Sequence, residues 1–177
     1  MTNWSQIEGS AQPLGAVWIG AEKSCNFALY SRHATSVTLL LYSKRDLVNP
    51  ALRVPLDYLI HKSGRIWHCR LGTDQLADAR YYAYSVEGPN DPHGERHFFD
   101  PEKVLLDPYG FEIFFPPDFS RSASIGRGSN AGRAPVVHCP TALHLLIGAA
   151  TPDRPTLLTR SFTSCMSKAL PCAATPV

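Results

Sequence analysis

Histidine and acidic side chains are the residues of this chain that would be needed for metal binding or acid–base chemistry. The chain has seven histidines and fifteen acidic residues among its 177 residues. The histidines are scattered, and only His93 and His97 lie four positions apart, in a stretch rich in proline and glycine. This spacing does not fit the common metal sites, so we predict no metal and no cofactor.

Three carboxylates, Asp100, Glu102 and Asp107, lie close enough in sequence to suggest acid–base work on a sugar. Asp100 precedes Pro101 and Asp107 precedes Pro108, positions typical of a helix cap and a turn, which favours structural roles. The chain has no GxSxG nucleophile motif, and its glycine-rich run at 126–130 lacks the lysine of a phosphate loop. We therefore predict no catalytic residue.

The composition indicates which cellular compartment and which classes of partner to expect. The net charge of +2 is nearly balanced, and no apolar run reaches the length of a membrane span, so neither a nucleic acid nor a membrane is an expected partner. The first residues lack the basic and apolar regions of a signal peptide. Five cysteines without CxxC or metal spacing agree with a reducing compartment, and we predict a cytoplasmic protein.

Hydrophobic residues alternate with a period of two in several short runs. Two of these runs flank the polar residues 32–36, a connection short enough for a hairpin or a tight crossover. Pro55 places the run that contains it at a sheet edge. Strands are predicted in the ranges 14–20, 25–30, 37–42, 52–60, 66–71 and 81–86. Short strands separated by turn signals predict an all-β protein with a β-sandwich.

The sequence pattern of the chain changes after residue 97. Asp100 is predicted to cap a short helical turn, and residues 110–134 are irregular. The 43 residues from Pro135 hold one of the fifteen acidic residues and one of the eighteen aromatic residues, too few large side chains for a core. We predict a lead-in over 1–12, a sandwich over 13–97, a linker over 98–135 and an irregular, disordered tail over 136–177.

Exposed aromatic rings are the side chains that would bind a sugar by stacking. Trp67 and Tyr81 are the candidates. Trp67 lies in the middle of a predicted strand, where tryptophan usually belongs to the core, whereas Tyr81 lies off the face shared by Tyr82 and Tyr84. Tyr81 is therefore the better candidate for an exposed platform.

An ordered set of short segments resembles one known family. The segments include Asn26-Phe27-Ala28-Leu29-Tyr30-Ser31, Ile66-Trp67-His68 and, above all, Phe99-Asp100-Pro101-Glu102-Lys103-Val104-Leu105-Leu106-Asp107-Pro108-Tyr109. Over about residues 10–135 the chain is similar to the N-terminal part of bacterial glycogen debranching enzymes of the isoamylase type. These are glycoside hydrolases of family 13 that carry a family 48 carbohydrate-binding module.

The resemblance implies an immunoglobulin-like β-sandwich that packs on a (β/α)8 barrel, which hydrolyses α-1,6 branches of glycogen. A barrel needs about 250 residues, and 42 residues follow Pro135. We therefore expect a truncated fragment that is inactive alone, with glycogen or another α-glucan as a possible ligand. The alternative is a stand-alone glycan-binding module with a short partner-binding tail.

The resemblance also implies a surface that meets the barrel. Leu105, Leu106 and Tyr109 are the residues expected there. Without the barrel these side chains would form an exposed apolar patch, and such patches tend to self-associate.

The tail departs from the family's sequence, and the departure has a pattern. When the codons of residues 145–171 are regrouped by one position, they can encode the family's Phe-Asp-Trp and the later Tyr, His, Val, Gly, Phe and Thr in order. We expect residues from about Val136 onward to be the product of a frameshift.

Overall fold

In a computed structural model of the chain, residues 8–76, 78–90 and 98–140 are described, and nine strands in them form two antiparallel sheets. The first sheet has the strand order β1-β2-β6-β5 and the second the order β4-β3-β7-β9-β8. The strands are β1 (Gly15–Ile19), β2 (Ser24–Tyr30), β3 (Ser36–Tyr42), β4 (Leu52–Leu56), β5 (Lys62–Ser63), β6 (Ile66–Gly72), β7 (Tyr81–Glu87), β8 (Ile113–Phe114) and β9 (Val136–His138). The predicted all-β sandwich is confirmed.

Helical structure in these residues is short. A 3₁₀ turn, Gly20–Glu22, follows β1, and one α-helix, α1, spans Arg121–Ile125. Asp100 begins a single turn and accepts a 3.0 Å hydrogen bond from the backbone N–H of Glu102, as a capping carboxylate does. No described helix is long and apolar enough to cross a membrane.

The residues between β2 and β3 form a crossover, because the two strands lie in different sheets. Pro55 lies in β4, which is an edge strand, where the missing N–H of proline costs no ladder bond. Pro55 thus predicted the position of this edge strand, although β4 ends at Leu56 and not at residue 60 as expected.

The core between the sheets comes from the alternating apolar positions. Phe27 and Leu29 of the first sheet meet Val37, Leu39 and Tyr82 of the second, and all are almost fully buried. The rings of Phe27 and Tyr82 meet edge to face, with centroids 5.2 Å apart.

The outer face of the second sheet is covered as well. Leu40, Tyr42, Tyr81 and Ala83 form a second buried cluster with Val104, Ala134 and Val136, which come from the segment after residue 97. The side chain of Asn130 fastens this segment: its Oδ1 accepts a bond from the N–H of Val104 at 2.8 Å, and its Nδ2 donates to the carbonyl of Val104 at 3.1 Å.

This packing corrects the boundaries expected from the sequence. Residues 98–135, expected to be a linker, supply β8, α1 and part of the second cluster. Val136–His138, expected in the irregular tail, form β9 between β7 and β8, and Val136 and Val137 are buried. The reason is that the outer face of β7 is apolar and needs a cover, which these residues provide. Residues 141–177 lie outside the described residues.

Candidate functional site

The two predicted sugar-stacking residues are both buried. Trp67 of β6 is 1% exposed and lies in the core between the sheets. Tyr81 of β7 points away from Tyr82 and Tyr84, as expected, but it is 6% exposed because Phe114 stacks on it with centroids 4.7 Å apart. A sugar ring could stack on either residue only by displacing its cover, so this burial argues against direct contact.

An exposed aromatic ring lies next to Trp67. The ring of Tyr58 meets that of Trp67 edge to face, with centroids 5.9 Å apart, and Tyr58 is 59% exposed. The Lys62 ammonium lies 4.4 Å from the Tyr58 ring centroid and 4.6 Å from that of Trp67. We call Tyr58, Lys62 and Trp67 the edge cluster, because they lie where β4 and β5, the edge strands of the two sheets, are joined.

Sequence reasoning missed Tyr58 and Lys62. Both belong to the connection and short strand that follow β4, and neither fits a strand periodicity. The sequence predicted a strand over residues 52–60, which includes Tyr58, but β4 ends at Leu56 and Tyr58 lies in the turn that follows. Asp57, a residue typical of turns, was the available signal that the strand ends before Tyr58.

The predicted docking residues lie in a segment rich in exposed apolar side chains. Leu105 is 40% exposed and Tyr109 is 53% exposed, whereas Leu106 is partly buried and packs against the main core. Eight of the twelve large hydrophobic side chains that are exposed in the described residues lie between 98 and 125. We call them the 98–125 surface: Phe98, Leu105, Tyr109, Phe111, Ile113, Phe115, Phe119 and Ile125.

A groove runs along part of this surface. Its volume is about 720 Å³, and its lining includes Phe98, Leu105 and Ile125 together with Lys103 and Arg127. Lys103 is held in place, because its Nζ donates a 2.7 Å bond to the carbonyl of Ala123 in α1. The groove therefore combines apolar side chains with charged ones, as surfaces that contact other proteins do.

The carboxylates have structural partners. Asp107 is 1% exposed; its Oδ2 accepts a 2.9 Å bond from the Tyr82 hydroxyl, and its Oδ1 accepts a 2.8 Å bond from the N–H of Tyr109. Burial raises the pKa of Asp107, and these two hydrogen bonds oppose the rise. Asp100 accepts from the N–H groups of Glu102 and Gly128. These contacts hold turns and do not form an acid–base pair.

Thiol chemistry is also unfavourable. Cys25, Cys69 and Cys139 are free and buried. Burial raises the pKa of Cys69 to about 12, and the hydrogen bond with the Cys139 thiol, together with burial, raises that of Cys25 further. Because the thiolate is the nucleophile, Cys25 and Cys69 are unreactive at neutral pH. Within the described ranges, no cluster of three His, Cys, Asp or Glu side chains has the arrangement of a metal site.

Comparison with known proteins places this geometry in context. Residues 13–110 match the family model described as carbohydrate-binding module 48, the isoamylase N-terminal domain. The chain is 39% identical over 102 residues to a glycogen operon protein GlgX homolog of Mycobacterium tuberculosis, covering 58% of this chain and 13% of that protein. It is 41% identical over 101 residues to the glycogen debranching enzyme of Yersinia enterocolitica, covering 57% and 14%.

Solved structures share the fold. The chain superposes on the pullulanase SAP of Group B Streptococcus, solved in complex with maltotetraose, with a TM-score of 0.50 and 18% identity, over 75% of this chain and 15% of that one. A third sequence relative is the isoamylase SU1 of Zea mays, which is 33% identical over 105 residues, covering 58% of this chain and 13% of that protein. The chain thus spans about an eighth to a seventh of the length of these relatives.

Proposed function

Because the chain belongs to the carbohydrate-binding module 48 family, the isoamylase N-terminal domain, we propose that it is the non-catalytic N-terminal module of a glycogen-debranching enzyme. The observation that carries this proposal is the match of residues 13–110 to that family model. The sequence relatives of the chain include proteins named glycogen debranching enzyme and isoamylase. In this proposal the hydrolysis of α-1,6 branches belongs to the remainder of such an enzyme, and this module supports it.

The 98–125 surface is the part of the module that would meet that remainder. Eight exposed apolar side chains within one segment exceed the scattered hydrophobic residues of an ordinary surface. The relatives extend far beyond the matched region, and the proposed partner of this surface is that remainder of the enzyme. When the partner is absent, the same surface would bind a second copy of the module.

A second candidate function is glycan binding by the module itself. The edge cluster favours it, because it presents an exposed aromatic ring and an ammonium group at the joined edges of β4 and β5. The expected ligand is glycogen or another α-glucan. This function is compatible with the first, since a docked module can also hold the substrate.

We propose a cytoplasmic location for the module. Its three described cysteines are free thiols, including Cys25 and Cys139, which lie near each other and are not joined. Thiols persist in a reducing compartment.

The frameshifted origin of the tail stays a proposal. It rests on the composition break after Ala134 and on the regrouped codons of residues 145–171. Sequencing the gene from the codon of Arg133 onward tests it. A second frame that encodes Phe-Asp-Trp followed by a barrel supports the proposal, and the lack of any such frame overturns it.

One experiment tests the proposed function. The purified chain is incubated with glycogen and with its limit dextrin; reducing ends are measured, and the protein that sediments with glycogen is quantified. We expect no release of reducing ends and measurable co-sedimentation. Release of reducing ends would overturn the non-catalytic function, and the absence of sedimentation would restrict the module to a docking function.

A further inference from the structure

The turn that joins the edge strands of the two sheets is held rigidly. The N–H of Leu59 donates a 2.7 Å bond to Oδ1 of Asp57, the N–H of Asp57 donates a 2.9 Å bond to Nδ1 of His61, and the N–H of His61 donates a 2.7 Å bond to the carbonyl of Asp57. The carbonyl of His61 accepts in turn from the N–H of His68 in β6. The turn that carries Tyr58 is therefore fixed to the sheet.

The ring of Tyr58 is oriented by its neighbours. Lys62 lies over it at 4.4 Å, and the same ammonium contacts the ring of Trp67 at 4.6 Å. An ammonium over an aromatic face is attracted by the ring, which favours this ring orientation. Despite these contacts, the residue Tyr58 is 59% exposed.

The edge cluster includes a polar group that the fold leaves unused. The Nε1 of Trp67 is buried, and it has no hydrogen-bond acceptor in the part of the chain that the structure describes. Leaving a buried donor unpaired is unfavourable. Leu59, next to Tyr58 in the turn, is 87% exposed, so the turn presents a second large apolar side chain to solvent.

These features match the chemistry of a glucose polymer. A glucose ring presents C–H groups on its faces and hydroxyls around its rim; the C–H groups suit the electron-rich face of an aromatic ring. The Lys62 ammonium supplies three hydrogen-bond donors, and the Asp57 carboxylate supplies acceptors for the hydroxyls. Because the turn is already ordered, binding loses little conformational entropy.

We infer that Tyr58, oriented by Lys62 and Trp67, is the α-glucan contact of this module, at the joined edges of β4 and β5. The inference deepens the glycan-binding function proposed above and rests on it. It moves the sugar contact from Trp67 and Tyr81, which are covered, to the exposed ring beside Trp67. Trp67 becomes a positioning residue.

The affinity of the full chain for glycogen and for maltoheptaose tests the inference, with variants compared by sedimentation and by calorimetry. Tyr58→Ala is expected to weaken binding at least about tenfold, as the loss of a central aromatic contact does. Tyr58→Phe keeps the ring and is expected to bind within about threefold of the wild type, and Lys62→Met is expected to bind more weakly than the wild type. The matched control is Tyr109→Ala, which removes a tyrosine of similar exposure, 53% against 59%, from the 98–125 surface.

Each outcome separates the inference from the function on which it rests. Loss of binding in Tyr58→Ala, with an unchanged melting temperature and normal binding by Tyr109→Ala, supports the site. Full binding by Tyr58→Ala overturns the site and leaves glycan binding standing. If the wild-type chain binds neither glucan, both the glycan-binding function and the site are wrong. Should Tyr58→Ala fail to fold, Lys62→Met decides: affinity equal to that of the wild type overturns the site.

Discussion

The hydroxyl of Tyr82 donates a 2.9 Å hydrogen bond to Oδ2 of Asp107, and this bond ties the second sheet to the segment that follows it. The two residues are 25 positions apart, and each is 1% exposed. The bond has a backbone counterpart two residues away along β7, where Tyr84 and Leu105 exchange N–H to carbonyl bonds of 2.9 and 2.7 Å. Residues 98–110 are therefore built into the sandwich.

Tyr82→Phe tests how much this bond contributes to stability. The change leaves the buried Asp107 carboxylate with one hydrogen bond fewer, so the free energy of unfolding should fall by about 1–3 kcal/mol. Urea unfolding followed by circular dichroism measures the change. Tyr84→Phe is the matched control: within the described residues the Tyr84 hydroxyl is buried without a partner, so its removal should change stability by less than about 1 kcal/mol. Equal losses of unfolding free energy in the two variants would show that the hydrogen bond from Tyr82 to Asp107 does not stabilise the fold.

Asp107 should make the free energy of unfolding depend on pH. Burial raises the pKa of Asp107 in the folded state above its ordinary value of 3.8. The folded state thus holds the proton more tightly than the unfolded state. The resulting stabilisation is complete below pH 3.8 and is lost as the pH rises through the folded-state pKa.

Comparison of the wild type with Asp107→Asn isolates this contribution, because the other titrating groups are shared. As the pH is lowered from 7 to 4, the free energy of unfolding of the wild type should rise relative to that of Asp107→Asn. Urea unfolding at several pH values measures the difference. A difference that stays constant with pH, or that falls, would show that the pKa of Asp107 is not raised.

Gly15→Ala tests the contact between β1 and the later segment. Gly15 has φ +91°, and a Cβ atom there would lie 2.9 Å from the carbonyl oxygen of Tyr109. Backbone strain and overlap together should lower the free energy of unfolding by about 2 kcal/mol or more. Gly72→Ala is the control, because a Cβ at Gly72 meets nothing within 4 Å. If both variants melt at the wild-type temperature, residues 98–110 do not pack against β1 as described.

The 98–125 surface should make the isolated chain associate with itself. The double variant Phe111→Ser, Ile125→Ser removes two side chains that are 94% and 76% exposed, so it should reduce both dye binding and oligomer formation without loss of stability. Light scattering and the fluorescence of an apolar dye measure this. Leu59→Ser, at a site 87% exposed outside this surface, is the control and should leave both signals unchanged. Association that persists in the double variant would place the contact elsewhere.

The sequence predicted the parts of the fold that depend on local periodicity. Tyr82, Tyr84 and Val86 alternate on one face of β7, and that face is the core side. Pro55 marked an edge strand because its ring removes a donor, a purely local effect.

Local periodicity did not predict which residues bury the outer face of the second sheet. Tyr81 follows the expected alternation, but whether its outward ring meets water depends on Phe114, which lies 33 positions later in a two-residue strand. Such a contact between distant segments leaves no period in the sequence. The same reason explains why Val136 and Val137 were assigned to a tail, since a three-residue strand is too short to show alternation.

Tyr58 was missed for a related reason. Its exposure and its contact with Lys62 are set by the hydrogen-bonded turn between Asp57 and His61, and the residue types of that turn alone do not determine the side-chain arrangement. The side-chain arrangement of the candidate site thus depends on tertiary contacts, whereas the strands follow from the hydrophobic periodicity of the sequence.

The most direct test of the account is a titration of the ¹⁵N-labelled chain with maltoheptaose, followed by backbone amide shifts in nuclear magnetic resonance. The account predicts saturable shifts concentrated at residues 57–62 and at Trp67, with residues 98–125 unaffected. The edge cluster lies beside β4, whereas β8, which lies within 98–125, is at the opposite edge of the second sheet. Shifts confined to residues 98–125, or no shifts at millimolar ligand, would contradict it.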